Sequence, residues 1–122
     1  MRKALVFLFL AVAGVACGSD PFSQCATDPN TGALDCSFQD FSGANLSEKN
    51  LRNADLTSAN FSEARLDSAS LVRSRLVSTV LESTDLRQAN LSQADLTGAD
   101  LTDADLTDAD LTDANLEGAN LS

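Results

Sequence analysis

Apolar residues recur at every fifth position from residue 46 to residue 121. All of these positions are leucine except Phe61, and the same frame extends back through Phe41 to Cys36. Of the sixteen positions from 46 to 121, twelve have alanine two residues before and twelve have aspartate or asparagine directly before. A period of five keeps no single face buried on an α-helix or on a flat strand. It predicts a chain that turns in the same sense once per five-residue unit.

Repeated turning places every fifth residue in one shared interior. If each unit forms one side of a square, four units close a coil, and the next coil stacks about 4.8 Å above it. The alanines then face inward near the corners, while the aspartates and asparagines face outward and hydrogen-bond the turns. Eighteen units counted from Cys36 make about four and a half coils. The predicted core is Phe41, Leu46, Leu51, Leu56, Phe61, Leu66, Leu71, Leu76, Leu81, Leu86, Leu91, Leu96, Leu101, Leu106, Leu111, Leu116 and Leu121.

The repeated unit also resembles a known family. Segments such as Ala54-Asp55-Leu56-Thr57-Ser58 follow the pattern Ala-(Asp/Asn)-Leu-x-x, which resembles the pentapeptide-repeat family over residues 36–122. The resemblance implies an all-β fold, the right-handed quadrilateral β-helix. The alternative is a disordered low-complexity tract, since charged residues are frequent and aromatic residues are few. The regular apolar spacing disfavours disorder.

The first sixteen residues have the pattern of an export signal. Arg2 and Lys3 precede an apolar run over residues 4–16, which ends in small residues before Cys17. A basic start, a short apolar stretch and small residues predict a signal peptide over residues 1–16. The apolar run is shorter than the roughly 20 residues that a membrane-spanning helix needs.

The end of this segment resembles the bacterial lipobox, in which a cysteine after small residues becomes the lipid-modified first residue. Val15, Ala16 and Cys17 match that pattern, whereas Gly14 stands where the pattern usually has leucine. The resemblance implies lipidation of Cys17. Ordinary cleavage after Ala13 or Ala16 is the alternative.

Three cysteines in an exported chain leave one thiol without a partner. Lipidation of Cys17 leaves Cys25 and Cys36, which flank the turn sequence Asp-Pro-Asn-Thr-Gly at residues 28–32. Export permits oxidation, so these two cysteines are predicted to form a structural disulfide. The expected domains are a signal peptide (1–16), a lipid-attachment spacer with an N-terminal cap (17–35) and the repeat solenoid (36–122).

The charge is strongly negative. The formal net charge is −10, and removal of Arg2 and Lys3 with the leader makes it −12. Such a surface repels nucleic acid. Stacking in steps of twenty residues places Arg75 between Asp55 and Asp95. Carboxylates accumulate in the last coil and a half, but side chains on different walls diverge, so no metal site is predicted. The carboxylates of the last coil and a half belong to Asp95, Asp100, Asp103, Asp105, Asp108, Asp110 and Asp113.

Stacking in steps of twenty residues also places Arg87 above Asp67.

Several positions depart from the repeat. Lys49 replaces an inward alanine, which predicts a local distortion that lets its amine reach water. Val72, Val77 and Val80 occupy outward positions, where they form a contact patch or belong to a tolerated irregular coil.

No catalytic constellation is present, because the sequence lacks histidine, a nucleophile elbow and a phosphate-binding glycine loop. The sequence therefore predicts a non-enzymatic lipoprotein without cofactors, exported and anchored by lipid on the extracytoplasmic side, in the periplasm or at the cell surface. It presents a rigid rod to an unknown protein partner. The last coil has no capping segment, so an end-to-end homodimer or a partner protein is expected to cover it. Simple fraying of the last coil is the alternative. The alternative function is an acidic DNA mimic that inhibits a DNA-binding enzyme such as gyrase.

Overall fold

A computed structural model describes residues 20–122, which form a rod of stacked square coils preceded by a short β-hairpin. The predicted signal peptide (1–16) and the predicted lipid on Cys17 lie outside the described residues. Both stay predictions, as do the proposed domain boundaries. Among residues 20–122, no helix is long and apolar enough to cross a bilayer.

Coils stack in parallel with a register of twenty residues, as the repeat predicted. Each bridge joins one outward position to the residue twenty further along, so the rod is a right-handed quadrilateral β-helix with four walls. Wall 1 contains the bridged positions Asp35, Asp55, Arg75, Asp95 and Asn115. Wall 2 contains Asp40, Asn60, Val80, Asp100 and Asn120. Wall 3 contains Asn45, Arg65, Asp85 and Asp105. Wall 4 contains Asn50, Ser70, Asn90 and Asp110.

Backbone hydrogen bonds hold each unit to its neighbours in two directions. Between coils, the Leu46 amide donates to the Arg65 carbonyl at 2.7 Å and the Arg65 amide donates to the Ala44 carbonyl at 2.9 Å. Within a coil, the Ala44 amide donates to the Phe41 carbonyl at 2.9 Å and closes a four-residue turn. The third residue of that turn, Gly43, has a φ of 66°, which defines a type II turn.

The same turn recurs at every corner of the described rod. Its third position has positive φ throughout, although most residues there are not glycine. Gly98 and Gly118 share this position with Gly43, whereas Ser58 and Arg73 adopt the same conformation with a side chain. The ladder between coils therefore imposes a backbone that L-residues otherwise avoid.

The core is a column of leucines and alanines along the axis. The predicted core positions from Phe41 to Leu101 are all buried, and the alanines between them fill the corners. Leu106, Leu111 and Leu116 are only partly buried against this cluster. The core assignment of Leu121 was wrong: 55% of its surface is exposed, because no coil covers its outer side within the described residues.

Three hydroxyl groups replace alanine methyls in the core without leaving polar atoms unsatisfied. The Thr79 hydroxyl donates to the Leu56 carbonyl at 2.8 Å, and the Thr84 hydroxyl donates to the Phe61 carbonyl at 2.7 Å. The Ser74 hydroxyl donates to the carbonyl of Leu71 at 2.6 Å. Buried polar groups are tolerated when they are hydrogen-bonded, so the square cross-section is kept at these units.

Two predictions about irregular units were wrong in part. The Lys49 side chain is exposed, but no distortion is needed: its amide bonds the Leu46 carbonyl at 3.2 Å, as at other corners. Lys49 lies in the first coil, so no preceding coil encloses it. Val72 is only 8% exposed and so belongs to no contact patch, whereas Val77 and Val80 are half-buried and keep part of their outward surface exposed.

The hairpin closes the N-terminal end of the rod. Strand β1 (Ala26–Thr27) pairs antiparallel with β2 (Leu34–Asp35) across the turn at residues 28–32. The Asp28 carboxylate accepts hydrogen bonds from the amides of Asn30 and Thr31, which orders that turn. Leu34 is partly buried and packs against the core cluster, as do Phe22 and Cys25.

Candidate interaction surface

Cys25 and Cys36 are joined by a disulfide with their Cα atoms 4.6 Å apart. Cys36 is fully buried at the start of the leucine column, and Cys25 is partly buried on the hairpin side. The Phe22 ring lies 5.7 Å from the Phe41 ring. This contact was not predicted, because Phe22 lies outside the repeat. The disulfide and the aromatic contact fix the hairpin on the first coil.

The outward surface is built from a repeated side-chain turn. In one unit, the Asp55 carboxylate accepts a hydrogen bond from the Thr57 amide at 3.0 Å and one from the Thr57 hydroxyl at 2.6 Å. Asn90 and Ser92 make the same pair of bonds with an amide oxygen as the acceptor. The Asp/Asn and Ser/Thr preferences of the repeat are therefore explained by the turn.

These hydrogen bonds shift the acidity of the carboxyl groups. The Thr102 hydroxyl bond is the main cause that lowers the pKa of Asp100. Bonds from Thr107 and Thr112 likewise lower the pKa of Asp105 and Asp110. Partial burial raises the pKa of Asp55, but the bonds from Thr57 and the charge of Arg75 lower it by more. The carboxylates are therefore held in the charged form at neutral pH.

Wall 3 pairs three of its five carboxylates with its own arginines, whereas Glu48 and Asp108 make no ion pair within the described residues. The Arg87 guanidinium contacts the Asp85 carboxylate at 2.7 Å and lies 3.9 Å from the carboxylate of Asp105. Arg65 pairs with Asp67 at 3.2 Å. Arg87 lies one coil above Asp67, as the stacking predicted, but within the described residues its ion pairs are with Asp85 and Asp105, because the carboxylate of Asp85 in its own unit is nearer.

One ion pair crosses between coils on wall 1. Arg75 lies 3.5 Å from the carboxylate of Asp55 in the preceding coil. The structure has no corresponding pair between Arg75 and Asp95 in the described residues. Both side chains of the observed pair are solvent-exposed to a substantial degree, so the pair adds well under about 1 kcal/mol to stability.

Wall 2 is different, because its units contain no basic residue. Residues 40–43, 60–63, 80–83 and 100–103 carry five carboxylates and no lysine or arginine, whereas each other wall has at least one arginine. These carboxylates are Asp40, Glu63, Glu82, Asp100 and Asp103. Within residues 20–122, none of them forms an ion pair.

The corner between walls 1 and 2 has an aromatic side chain in an unusual place. Phe38 occupies the positive-φ position of its turn, at 61°, and 76% of its surface is exposed. Val77 and Val80 flank the same corner two coils further along. Outward apolar residues are thus concentrated beside wall 2.

The acidic last coil and a half holds no metal cluster. Across residues 20–122, no group of three or more histidine, cysteine, aspartate or glutamate side chains converges on a point that could bind an ion. The carboxylates of that region are distributed over all four walls. An open groove of about 1030 Å³ lies between the hairpin and the first coils, lined by residues that include Asp28, Pro29, Arg52 and Asp55.

Comparison with known proteins agrees with this architecture. The family model for pentapeptide repeats matches residues 35–76, 74–113 and 84–122, with eight copies. This match extends over more than half of the chain, so the protein belongs to the pentapeptide-repeat family. No curated protein matches the chain.

Solved pentapeptide-repeat structures are similar to this rod. HetL from the cyanobacterium Nostoc sp. strain PCC 7120, a protein involved in heterocyst differentiation regulation, is 40% identical over 70% of this chain and 39% of its own length, with a TM-score of 0.69. Rfr23 from Cyanothece 51142 is 29% identical over 73% of this chain and 65% of its own length, with a TM-score of 0.53. The chain therefore spans less than two thirds of either relative.

A plasmid-mediated fluoroquinolone-resistance protein is a more distant neighbour. QnrB1, in a trypsin-treated form, is 20% identical over 72% of this chain and 53% of its own length, with a TM-score of 0.33. At that level the likeness extends only to the shared repeat.

Proposed function

We propose that this protein is a non-enzymatic lipoprotein that is exported and anchored through lipid on Cys17 to the extracytoplasmic side of a membrane, in the periplasm or at the cell surface. Its pentapeptide-repeat rod acts there as a rigid structural or protein-interaction module. The rod supplies four flat walls of ordered polar side chains, and it needs no cofactor to do so.

The pairing of the cysteines is the observation that carries this proposal. Cys25 and Cys36 are bonded to each other, so Cys17 has no partner of its own in this chain. Cys17 directly follows the segment with the signal-peptide pattern. A structural disulfide suits an oxidising compartment outside the cytoplasm, and an unpaired cysteine at the end of a leader suits lipid attachment.

The charge distribution also supports a rod that projects away from a membrane. Residues 88–122 carry eight acidic residues and no basic residue, whereas all six basic residues after the leader lie between Lys49 and Arg87. Only residues 18–25 separate Cys17 from strand β1, so a lipid on Cys17 would hold the N-terminal end of the rod near the membrane. If the rod lay flat on an anionic membrane, these eight acidic residues would come within range of the headgroups and be repelled, which favours a rod that stands away from the surface.

Metabolic labelling with a fatty-acid analogue tests the anchor. The wild-type protein is expected to incorporate label, and Cys17→Ala is expected to lose it. The double variant Cys25→Ser/Cys36→Ser is the matched control, because it removes the other two thiols and is expected to keep the label. Equal labelling of wild type and Cys17→Ala would exclude the anchor.

The linear charge density favours a second candidate, an acidic DNA mimic that inhibits a DNA-binding enzyme such as gyrase. Residues 36–122 carry fifteen acidic and six basic residues. Spread over a rod of roughly 22 Å, this gives about one net charge per 2.4 Å, compared with one per about 1.7 Å in duplex DNA. Fractionation separates the two functions: recovery in the cytosol favours the mimic, and recovery with membranes favours the anchored rod.

An end-to-end homodimer is a further part of the proposal. Leu106, Leu111 and Leu116 are only half-buried and Leu121 is exposed, so the last coil that the structure describes presents an apolar ring. A second copy that covers this ring would bury it. Sedimentation of wild type and Leu121→Asp tests the contact: a dimer that the substitution abolishes is expected, and a monomeric wild type would exclude it.

A further inference from the structure

Wall 2 has carboxylates that no basic residue on the same wall balances. Outward apolar side chains lie beside these carboxylates. On wall 3, Arg65 and Arg87 neutralise the neighbouring carboxylates. On wall 2, Glu63 and Glu82 are exposed and make no ion pair within the described residues. Wall 3 thus pairs three of its five carboxylates with its own arginines, whereas none of the five carboxylates on wall 2 is paired within the described residues.

The apolar residues beside wall 2 strengthen this contrast. Phe38 is exposed and adopts a backbone conformation that bulky residues avoid. Val80 stands at the centre of wall 2, where most units of the rod have aspartate or asparagine. Neither residue is needed by the turn chemistry of the repeat, because other units fill these positions with polar side chains.

The spacing of the wall 2 carboxylates indicates which kind of partner structure fits the wall. Wall 2 offers Asp40, Glu63 and Glu82 on three successive coils and Asp100 with Asp103 on the fourth. Coils are about 4.8 Å apart, so the wall has at least one carboxylate in each interval of that length, at the first, third or fourth position of the unit. An α-helix that lies along the wall presents one side chain per turn of about 5.4 Å. Phe38 and Val80 are two coils apart, which is close to two helical turns.

We propose that wall 2 and its corner with wall 1 bind a basic amphipathic helix of a partner protein. Lysine or arginine, once per turn, would pair with the wall 2 carboxylates, and an adjacent aliphatic stripe would contact Phe38, Val77 and Val80. Charge complementarity determines which partners bind. The apolar corner contributes apolar contact area to the interface with the helix. This proposal deepens the interaction role proposed above but does not depend on the lipid on Cys17.

A synthetic helical peptide with lysine once per turn and a neighbouring leucine stripe is the probe. Its binding to the full-length protein in detergent is measured by fluorescence anisotropy. The variant Glu63→Gln/Glu82→Gln/Asp103→Asn is expected to weaken the Kd at least ten-fold. The matched control Glu48→Gln/Asp108→Asn/Asp113→Asn removes three carboxylates from walls 3 and 4 and is expected to change the Kd less than two-fold.

The apolar corner is tested separately with Phe38→Asn. Asparagine tolerates positive φ, so this variant is expected to keep or raise the melting temperature while it weakens peptide binding about five-fold or more. Absence of binding to wild type, or equal weakening by the two carboxylate variants, would overturn the proposal. Self-association of the protein that the wall 2 variant abolishes would also overturn it and assign the wall to a second copy. Failure of fatty-acid labelling leaves these results unaffected, so the two proposals fail independently.

Discussion

The Phe61 ring stacks on the Phe41 ring one coil below, with centroids 4.9 Å apart and planes 15° from parallel. The two residues are twenty positions apart, so the stack marks one full turn of the coil. Phe22 continues the contact on the hairpin side. Aromatic stacking thus joins the cap to the first two coils, where the leucine column begins.

Phe61→Ala is expected to destabilise the rod by about 3–5 kcal/mol, because it removes a fully buried ring and leaves a cavity. Phe61→Leu is expected to cost about 1 kcal/mol, since Leu81 and Leu101 fill the same column. Urea denaturation measures both changes. Phe38→Ala removes an exposed ring and is the control. A loss for Phe38→Ala equal to that for Phe61→Ala would contradict the burial of the stack.

Gly43→Val is expected to cost roughly 1–2 kcal/mol through backbone conformation alone. Gly43 has a φ of 66°, and a Cβ added there would meet no heavy atom within 4 Å. Gly43→Asn is expected to cost less, because Asn53 adopts this conformation at the same position of its unit. Thermal melting of the two variants provides the comparison. If valine and asparagine are equally well tolerated, positive φ does not limit residue choice at the corners.

Reduction of the Cys25–Cys36 disulfide is expected to lower stability by about 2–3 kcal/mol, because the bond closes a short loop and restricts the unfolded chain. Denaturation with and without dithiothreitol measures the effect. Cys17→Ser should show the same response to reductant as wild type, whereas Cys25→Ser should show none. A response that survives in Cys25→Ser would mean that another bond is being reduced.

Acid is expected to destabilise the last described coils through Asp100, Asp105 and Asp110. The folded state lowers the pKa of each group, mainly through the threonine hydroxyl that donates to it. Such groups stabilise the fold above their unfolded pKa of about 4, and this contribution is lost as pH falls through the lower folded pKa. Melting temperatures between pH 7 and pH 2 measure the loss.

The triple variant Asp100→Asn/Asp105→Asn/Asp110→Asn is the control for this pH dependence. Asparagine keeps the side-chain turn, as Asn60 and Asn90 show, but does not titrate. The stability of wild type relative to this variant is expected to decrease as pH is lowered from 7 to 2. A difference that stays constant or grows would assign the acid response to other groups.

Much of the rod could be predicted from the sequence, because a strict period fixes the register. The pairing of Asp55 with Arg75 and the burial of Leu56 both follow from counting in fives and twenties. The positive φ at each corner was not predicted, although Gly43, Gly98 and Gly118 share one position of the unit and could have indicated it. Most other units have a non-glycine residue at this position, because the ladder between coils holds that residue in the same conformation. The glycine preference is therefore weak in the sequence.

Features outside the period could not be predicted, because they depend on side-chain reach. Arg87 has carboxylates within range in its own unit and in the next coil, and only the geometry of wall 3 decides between them. Phe22 lies before the first unit, so no register placed it against Phe41. The lack of basic residues on wall 2 could have been predicted from the twenty-residue register, whereas the exposure of Phe38 became known only from the structure.

Mass spectrometry of the N-terminus of the purified mature protein tests the central proposal most directly. We expect a mature chain that begins at Cys17, carries a lipid on that residue, and holds Cys25 and Cys36 as a disulfide. Cleavage after Ala13 or Ala16 without lipid would retain export but exclude the anchor. A chain that retains residues 1–16 with Cys25 and Cys36 as free thiols would contradict both the exported location and the role proposed for the rod.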